Sequence, residues 1–142
     1  MAETMLAERF YAKDHSIHLE EIPIPEPGPG EVLMKVAYCG ICHSDLSIVK
    51  LGPGVTGWSV GDRVIPSAGR PCMVCRKCRR GDFASCLHLH LMAFAYDGAW
   101  AQYHVASAMG LTKIPDNVAM DQAALLADAV STPYAAMVRT AQ

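Results

Sequence analysis

Up to about residue 114, apolar and polar residues alternate in short bursts, the two-residue period of half-buried strands. Ile17 to Glu21 shows this alternation. Val32 to Tyr38 (VLMKVAY) reads as a buried strand, and Arg63 to Ile65 as a short one. Between the first two, residues 23–30 (PIPEPGPG) lack several backbone donors and have φ fixed at each proline, which predicts an extended surface loop. Residues 52–62 (GPGVTGWSVGD) are rich in turn formers. Asp97-Gly98 marks a further turn, Trp100 to Ala106 (WAQYHVA) alternates as a strand, and Leu111 to Ile114 is another, closed by Pro115-Asp116. From Ala119 the pattern changes. The Ala-, Leu- and Met-rich run 119–142 reads as one or two helices, broken before Pro133. The pattern predicts a single, mainly β domain over residues 1–142 with a short helical C-terminal tail.

Composition alters this little. At 142 residues, 51% hydrophobic and 18% charged, the chain is long enough for one core and has an ordinary globular make-up. A net charge of −2 gives no footprint for nucleic acid or an anionic membrane surface. The one basic run, Arg76-Lys77 with Arg79-Arg80, reads as a solvated loop face. The N-terminus lacks a basic-then-apolar signal pattern, and no run of 18 apolar residues occurs. A cytoplasmic location is expected, and in a reducing compartment clustered cysteines more often bind metal than form disulfides.

Four of the six cysteines lie within fifteen residues, as Cys72-x2-Cys75-x2-Cys78-x7-Cys86. Tetrahedral zinc needs four soft ligands converging at about 2.3 Å, and a tight loop with turns at Gly69, Pro71 and Gly81 supplies them. An iron–sulfur cluster is the main rival, but such runs usually place Pro after the last cysteine, where Leu87 stands here. Four unligated cysteines do not suit so polar a loop. A closed four-cysteine site keeps no open coordination position, so its zinc is expected to be structural.

A second group is Cys39-Gly-Ile-Cys42-His43-Ser44-Asp45. A redox Cys-x-x-Cys would require a helix start in a βαβ context that the strand pattern does not offer. Cys39 reads as a core residue at its strand end. Cys42 reads as a metal ligand, with Ser44 as proton carrier and Asp45 as support.

Together, GICHSD, the four-cysteine loop, PEPGPGEVLMKV, GVTGWSVGDRV and YDGAWAQYHV closely resemble the zinc-dependent medium-chain alcohol dehydrogenases, in that family's order and over nearly the whole chain. The resemblance implies a GroES-like, partly open β-barrel with a zinc-binding loop over 70–90 and two zinc sites. It maps a catalytic zinc ligand to Cys42, a residue near the cofactor phosphate to His43, a proton carrier to Ser44, and a further zinc ligand to Asp128 in LADAVSTPY. The implied reaction is NAD(P)-dependent oxidation of a small alcohol to an aldehyde or ketone. Zinc polarises the alcohol oxygen, and hydride passes to a nicotinamide held by a second domain.

The chain departs from that pattern in two places. The family continues from its His-Ser-Asp segment through a Gly-His-Glu motif whose His is a central zinc ligand, whereas Ser47-Ile-Val-Lys50 here runs straight into Leu51-Gly-Pro-Gly. About two strands' worth of sequence is missing at Lys50–Leu51 on ordinary strand lengths. No dinucleotide-binding domain is found: Gly52-Pro-Gly54-Val-Thr-Gly57 fits G-x-G-x-x-G formally, but Pro53 sits inside it and no helix follows, so it reads as a turn. His88 and His90, two residues apart and expected on one strand face, belong with the zinc loop. His104 reads as a surface or packed residue, and His15 and His18 lie in an N-terminal hairpin region. With Cys42 and Asp128 alone, the catalytic zinc site is expected to be incomplete and poorly occupied.

Three functions follow. The leading one is a zinc-binding catalytic domain of an alcohol dehydrogenase-like oxidoreductase, incomplete as it stands, with NAD(P) bound only if a cofactor domain is supplied elsewhere. The second is a non-catalytic zinc module that self-associates through the face such a domain would cover, where the 119–142 tail would lie. The third is a hydrolase or metal sensor built on Cys42 and Asp128.

Overall fold

The computed structural model describes residues 3–40 and 44–140. β1 (Thr4–Tyr11) and β2 (Ser16–Pro23) form an antiparallel hairpin in register from Thr4↔Pro23 to Tyr11↔Ser16. Its turn is closed by His15 in the left-handed region at φ 57°. Met5 and Ala7 bury the inner face of β1, while Phe10, Ile17 and Leu19 stay exposed.

The main sheet contains β3 (Glu31–Cys39), β4 (Ser44–Leu51), β5 (Arg63–Pro66), β8 (Tyr103–Ser107) and β9 (Leu111–Lys113). All pairings are antiparallel, in the order β8-β3-β4-β5-β9. β8 and β9 are thus the two ends of the sheet, yet only the 3₁₀ turn Ala108–Gly110 joins them. Four residue steps reach at most about 14 Å, whereas five flat strands would span about 19 Å. The sheet must therefore curl to bring its edges within that reach, although β8 and β9 do not pair. This is the partly open barrel expected from the sequence.

Val32, Met34, Leu46, Ile48, Val64 and Ala106 form the core, with Trp58 packed against them and its Nε1–H donated to the Ala108 carbonyl at 3.1 Å. Each large aliphatic side chain buried there contributes about 1.5–3 kcal/mol.

β4 is a strand that the sequence reading did not assign. It runs unbroken through Lys50–Leu51, with Leu51 opposite Val32, Lys50 opposite Leu33 and Ile48 opposite Met34. The register shift between Leu33 and Met34 leaves Val49 as the extra residue, a bulge beside the junction. Immediately after it, Gly52 N–H donates to the Glu31 carbonyl at 2.8 Å. A Cβ at Gly52 would lie 2.1 Å from the Gly28 carbonyl oxygen.

Two other boundaries also differ. The strand expected over Trp100–Ala106 begins at Tyr103, because Trp100 to Gln102 bridge to β1 instead. Glu8 N–H donates to the Trp100 carbonyl at 2.7 Å, and Gln102 N–H to that of Leu6 at 3.0 Å. The tail remains helical across Pro133: α1 (Met120–Leu125), a π-helical segment (Leu126–Val130) and α2 (Ser131–Thr140) follow without a break. Pro133 is the third residue of α2. It lacks an N–H and its ring crowds the preceding turn, so the wider π turn makes the room that a break would otherwise provide.

Candidate metal centre

β6 (Gly69–Arg70) and β7 (His90–Leu91) pair antiparallel and form the neck of the cysteine loop. Gly69 lies against Leu89, where a Cβ would come within 2.9 Å of its side chain, so the neck is tightly closed. Within the loop, Met73 adopts φ 63°. A short 3₁₀ turn, Cys78–Arg80, ends at Gly81 with φ 77°. These reversals bring the four sulfurs together.

All four ligand atoms of Cys72, Cys75, Cys78 and Cys86 lie within 4.8 Å of one another. The Sγ separations are 3.6 Å for Cys75–Cys78 and 4.0 Å for both Cys72–Cys78 and Cys75–Cys86. Four sulfurs at about 2.3 Å from a tetrahedral zinc sit about 3.8 Å apart, so this set fits the ion. Backbone donors point at the sulfurs: Cys72 N–H and His88 N–H reach Cys86 Sγ at 3.3 and 3.4 Å.

The thiols divide in character. Amide donors from Cys78 and Leu87 lower Cys75 to a pKa of about 6, and the Cys72 amide likewise lowers Cys86. Burial, followed by the neighbouring Cys86 and Cys75 thiols, pushes Cys78 up to about 12. Thiolates so close repel one another, and a divalent cation at their centre removes that conflict. The basic run around them is solvated: Arg76, Arg79 and Arg80 are exposed, and Lys77 pairs with Asp82 at 3.2 Å.

The second group is not assembled in view. Ile41, Cys42 and His43 lie outside the described residues, as do the side chains of Ser44 and Asp45. The backbones of Ser44 and Asp45 open β4 opposite Cys39 and Tyr38. Cys39 ends β3 as expected but is half-buried, not a core residue, because this end of β3 lies beyond the packed cluster. Asp128 sits in the π-helical segment and accepts a hydrogen bond from Thr132 Oγ1. Among the described residues, the four cysteines are the one group placed to ligate a metal.

The histidines are dispersed. His88 and His90 do not share a strand face: His90 is on β7, while His88 is in the turn before it. His18 contacts Ser16 Oγ at 2.8 Å, and His15 packs edge-on against Phe10. His104 is buried at 2% exposure and stacks on Tyr96 with ring centroids 6.2 Å apart. Tyr96 in turn lies 4.4 Å from the Arg70 guanidinium, which pairs with Glu31 at 2.7 Å. The sequence reading missed this network. The one available signal was an arginine two residues before the first zinc ligand.

Gly52 to Gly57 form a turn, with Gly54 and Gly57 at positive φ. No helix among the described residues is long and apolar enough to cross a membrane.

Comparison with known proteins agrees with this geometry. Residues 47–116 match the family model of the alcohol dehydrogenase GroES-like domain. An alcohol dehydrogenase of Schizosaccharomyces pombe is 32% identical over 146 aligned positions, covering 86% of this chain and 42% of its own. An L-threonine 3-dehydrogenase of Pyrococcus furiosus is 32% identical over 163 positions, covering 95% and 47%. In structure, the chain is similar to an acetophenone reductase from Geotrichum candidum in complex with NAD, at 29% identity and a TM-score of 0.86 over 98% of this chain and 48% of the other. The chain thus spans about half the length of the relatives it matches. The 163 positions aligned with the threonine dehydrogenase outnumber the 142 residues here, so at least 21 positions of that relative face no residue of this chain.

Proposed function

Because this chain belongs to the alcohol dehydrogenase GroES-like family, we propose that it is the zinc-binding domain of an alcohol dehydrogenase-like oxidoreductase, holding one structural zinc. The observation that carries this is the four-sulfur cluster of Cys72, Cys75, Cys78 and Cys86, whose spacing matches a tetrahedral thiolate site. Zinc bound there has no open position and supplies folding energy to the loop rather than chemistry.

The family reaction, oxidation of a small alcohol with NAD(P) as hydride acceptor, is proposed for the whole assembly and needs a nicotinamide site supplied by another domain. In that assembly Cys42 and Asp128 are the ligands left for a second zinc, Ser44 the proton carrier and His43 the residue beside the cofactor phosphate. Two protein ligands fall short of the three usual in catalytic zinc sites. The threonine dehydrogenase has positions that this chain does not match, so it has room for a ligand-bearing segment that this chain lacks.

A second reading, a zinc module without turnover that associates with other copies, draws on the tail. Leu125, Val130, Tyr134, Met137 and Val138, spread over the continuous helical run from α1 to α2, are all exposed.

Zinc content by elemental analysis, together with a turnover assay using NAD⁺ or NADP⁺ and a panel of alcohols, tests the proposal. One zinc per chain, lost in Cys78→Ser, is expected. A count near two with alcohol turnover would show the catalytic site to be complete, and no zinc at all would remove the reading.

A further inference from the structure

We propose that Glu31, Arg70, Tyr96 and His104 form a latch holding the neck of the cysteine loop on the main sheet, which protonation of His104 opens. The zinc consequence drawn below rests on the structural-zinc reading; the latch itself does not.

The parts come from four places in the chain. Arg70 is on β6, two residues before Cys72. Its NH1 meets Glu31 Oε1 of β3 at 2.7 Å, and its guanidinium lies over the Tyr96 ring. Glu31 is fixed in turn by the Gly28 N–H, at 3.0 Å from Oε2. Tyr96 stacks on His104 of β8, with 22° between the ring planes. Backbone bonds such as Ser67 N–H to the Gly110 carbonyl at 2.7 Å also tie the neck to the sheet. Arg70 is thus a side chain through which the neck grips the sheet.

Two buried atoms in this network have no hydrogen-bond partner: His104 Nε2 and Arg70 Nε. The His104 ring is bonded to the Gly98 backbone, so Nε2 is its free acceptor. Protonation would turn that acceptor into a buried cationic N–H with nothing to receive it, which is strongly unfavourable. Of the surrounding charges, Arg70 opposes the proton, Asp97 favours it, and Glu31 is already committed to Arg70. Burial is the largest influence and, with Arg70, it lowers the pKa of His104 from 6.5 to about 4. Once the neck detaches and the ring reaches water, the ordinary value returns. The closed latch is therefore favoured above pH 6.5 and weakened as pH falls towards 4. Linkage between these two values makes opening about 20-fold more favourable at pH 5 than at pH 7.

The test follows hydrogen–deuterium exchange of peptides covering residues 67–72 and 88–93, corrected for intrinsic pH dependence, in the wild type and in His104→Phe, which keeps an aromatic ring on Tyr96 but cannot titrate. Wild-type opening is expected to rise about 20-fold between pH 7 and 5, and that of the variant to stay within about twofold. Equal pH dependence in the two proteins, or none in the wild type, overturns the latch. If circular dichroism shows that His104→Phe is misfolded, His104→Gln takes its place under the same criteria. Zinc transfer to a chromogenic chelator is followed in parallel and should accelerate with acid more in the wild type than in the variant. A protein without zinc at pH 7.5 would sink the structural-zinc reading while the exchange data still decide the latch.

Discussion

Ile48→Ala is expected to cost the domain about 3–4 kcal/mol of folding free energy. Ile48 is 1% exposed and lies on β4, two residues before the Lys50–Leu51 junction. It packs with Val32, Met34, Leu46, Val64 and Ala106. Removing three carbons forfeits about 2.4 kcal/mol of transfer free energy, and the unfilled space adds a cavity contribution that puts such substitutions at about 2–5 kcal/mol. Val49, the bulged neighbour, is exposed, so Val49→Ala should cost less than about 1 kcal/mol. Urea unfolding of the zinc-loaded protein, followed by fluorescence of Trp58 against the same core, reports both. With a urea slope of about 2 kcal/mol per molar, Ile48→Ala should lower the midpoint by about 1.5–2 M. A slip of one residue in β4 would exchange the faces of Ile48 and Val49. If Ile48→Ala unfolds within about 0.3 M of wild type, or Val49→Ala costs as much as Ile48→Ala, β4 does not hold the central place assigned to it.

Three further outcomes follow. Cys78→Ser, at the most buried of the four cysteines, should abolish stoichiometric zinc and unfold the loop, because structural zinc binding of about 10–16 kcal/mol exceeds the stability of most domains; elemental analysis and thermal melting check this. Gly52→Ala should destabilise by at least about 2 kcal/mol, since its Cβ would meet two backbone carbonyl oxygens at 2.1 and 2.7 Å and neither is a side chain that can swing away; a melting temperature unchanged from wild type would refute it. Global stability should also depend on His104. Its folded pKa of about 4 lies below the unfolded 6.5, so the unfolded chain takes up the proton first. The contribution is complete above pH 6.5 and declines by about 3 kcal/mol as pH falls to 4, a decline that His104→Phe should remove in urea titrations at matched pH.

What could be read in the sequence was what local chemistry determines. The cysteine spacing sufficed because all four ligands lie between residues 72 and 86 and only a tight loop can join them. VLMKVAY and Arg63 to Ile65 announced strands by their apolar pattern, although only Val32 to Met34 of the first are buried while Lys35, Ala37 and Tyr38 are exposed, because that end of β3 lies beyond the packed cluster. β4 escaped because Ser44 to Leu51 was read as the approach to a gap. The alternation of Leu46 and Ile48 gains meaning only once β3 and β5 flank it. His104 gave an ambiguous signal: period two puts it on the face of Ala106, yet nothing local says that Tyr96 and Arg70 will close over it. The latch joins residues 31, 70, 96 and 104, a set that only the curled sheet brings together. Pro133 misled in the other direction, because a helix can widen into a π turn where a break is the simpler expectation.

The same distinction between local and distant ligands bears on function. The four-sulfur site takes every ligand from one loop, so losing sequence elsewhere leaves it intact. The catalytic zinc proposed above would draw on residues 42 and 128, far apart in the chain. β4 is continuous on β3 across Lys50–Leu51. Leu51, after the junction, pairs with Val32, and Ile48, before it, pairs with Met34, so both sides of the junction now belong to one strand on β3. A histidine-bearing segment inserted between Lys50 and Leu51 would have to divide that strand, leaving β3 as partner to one half and withdrawing the other from its register. Gly52, held against Glu31 and Gly28, resists the shift because its packing allows no added atom. The sheet register is continuous across the junction and independent of the cysteine loop, and zinc binding in the loop should therefore persist whether or not alcohol is ever turned over.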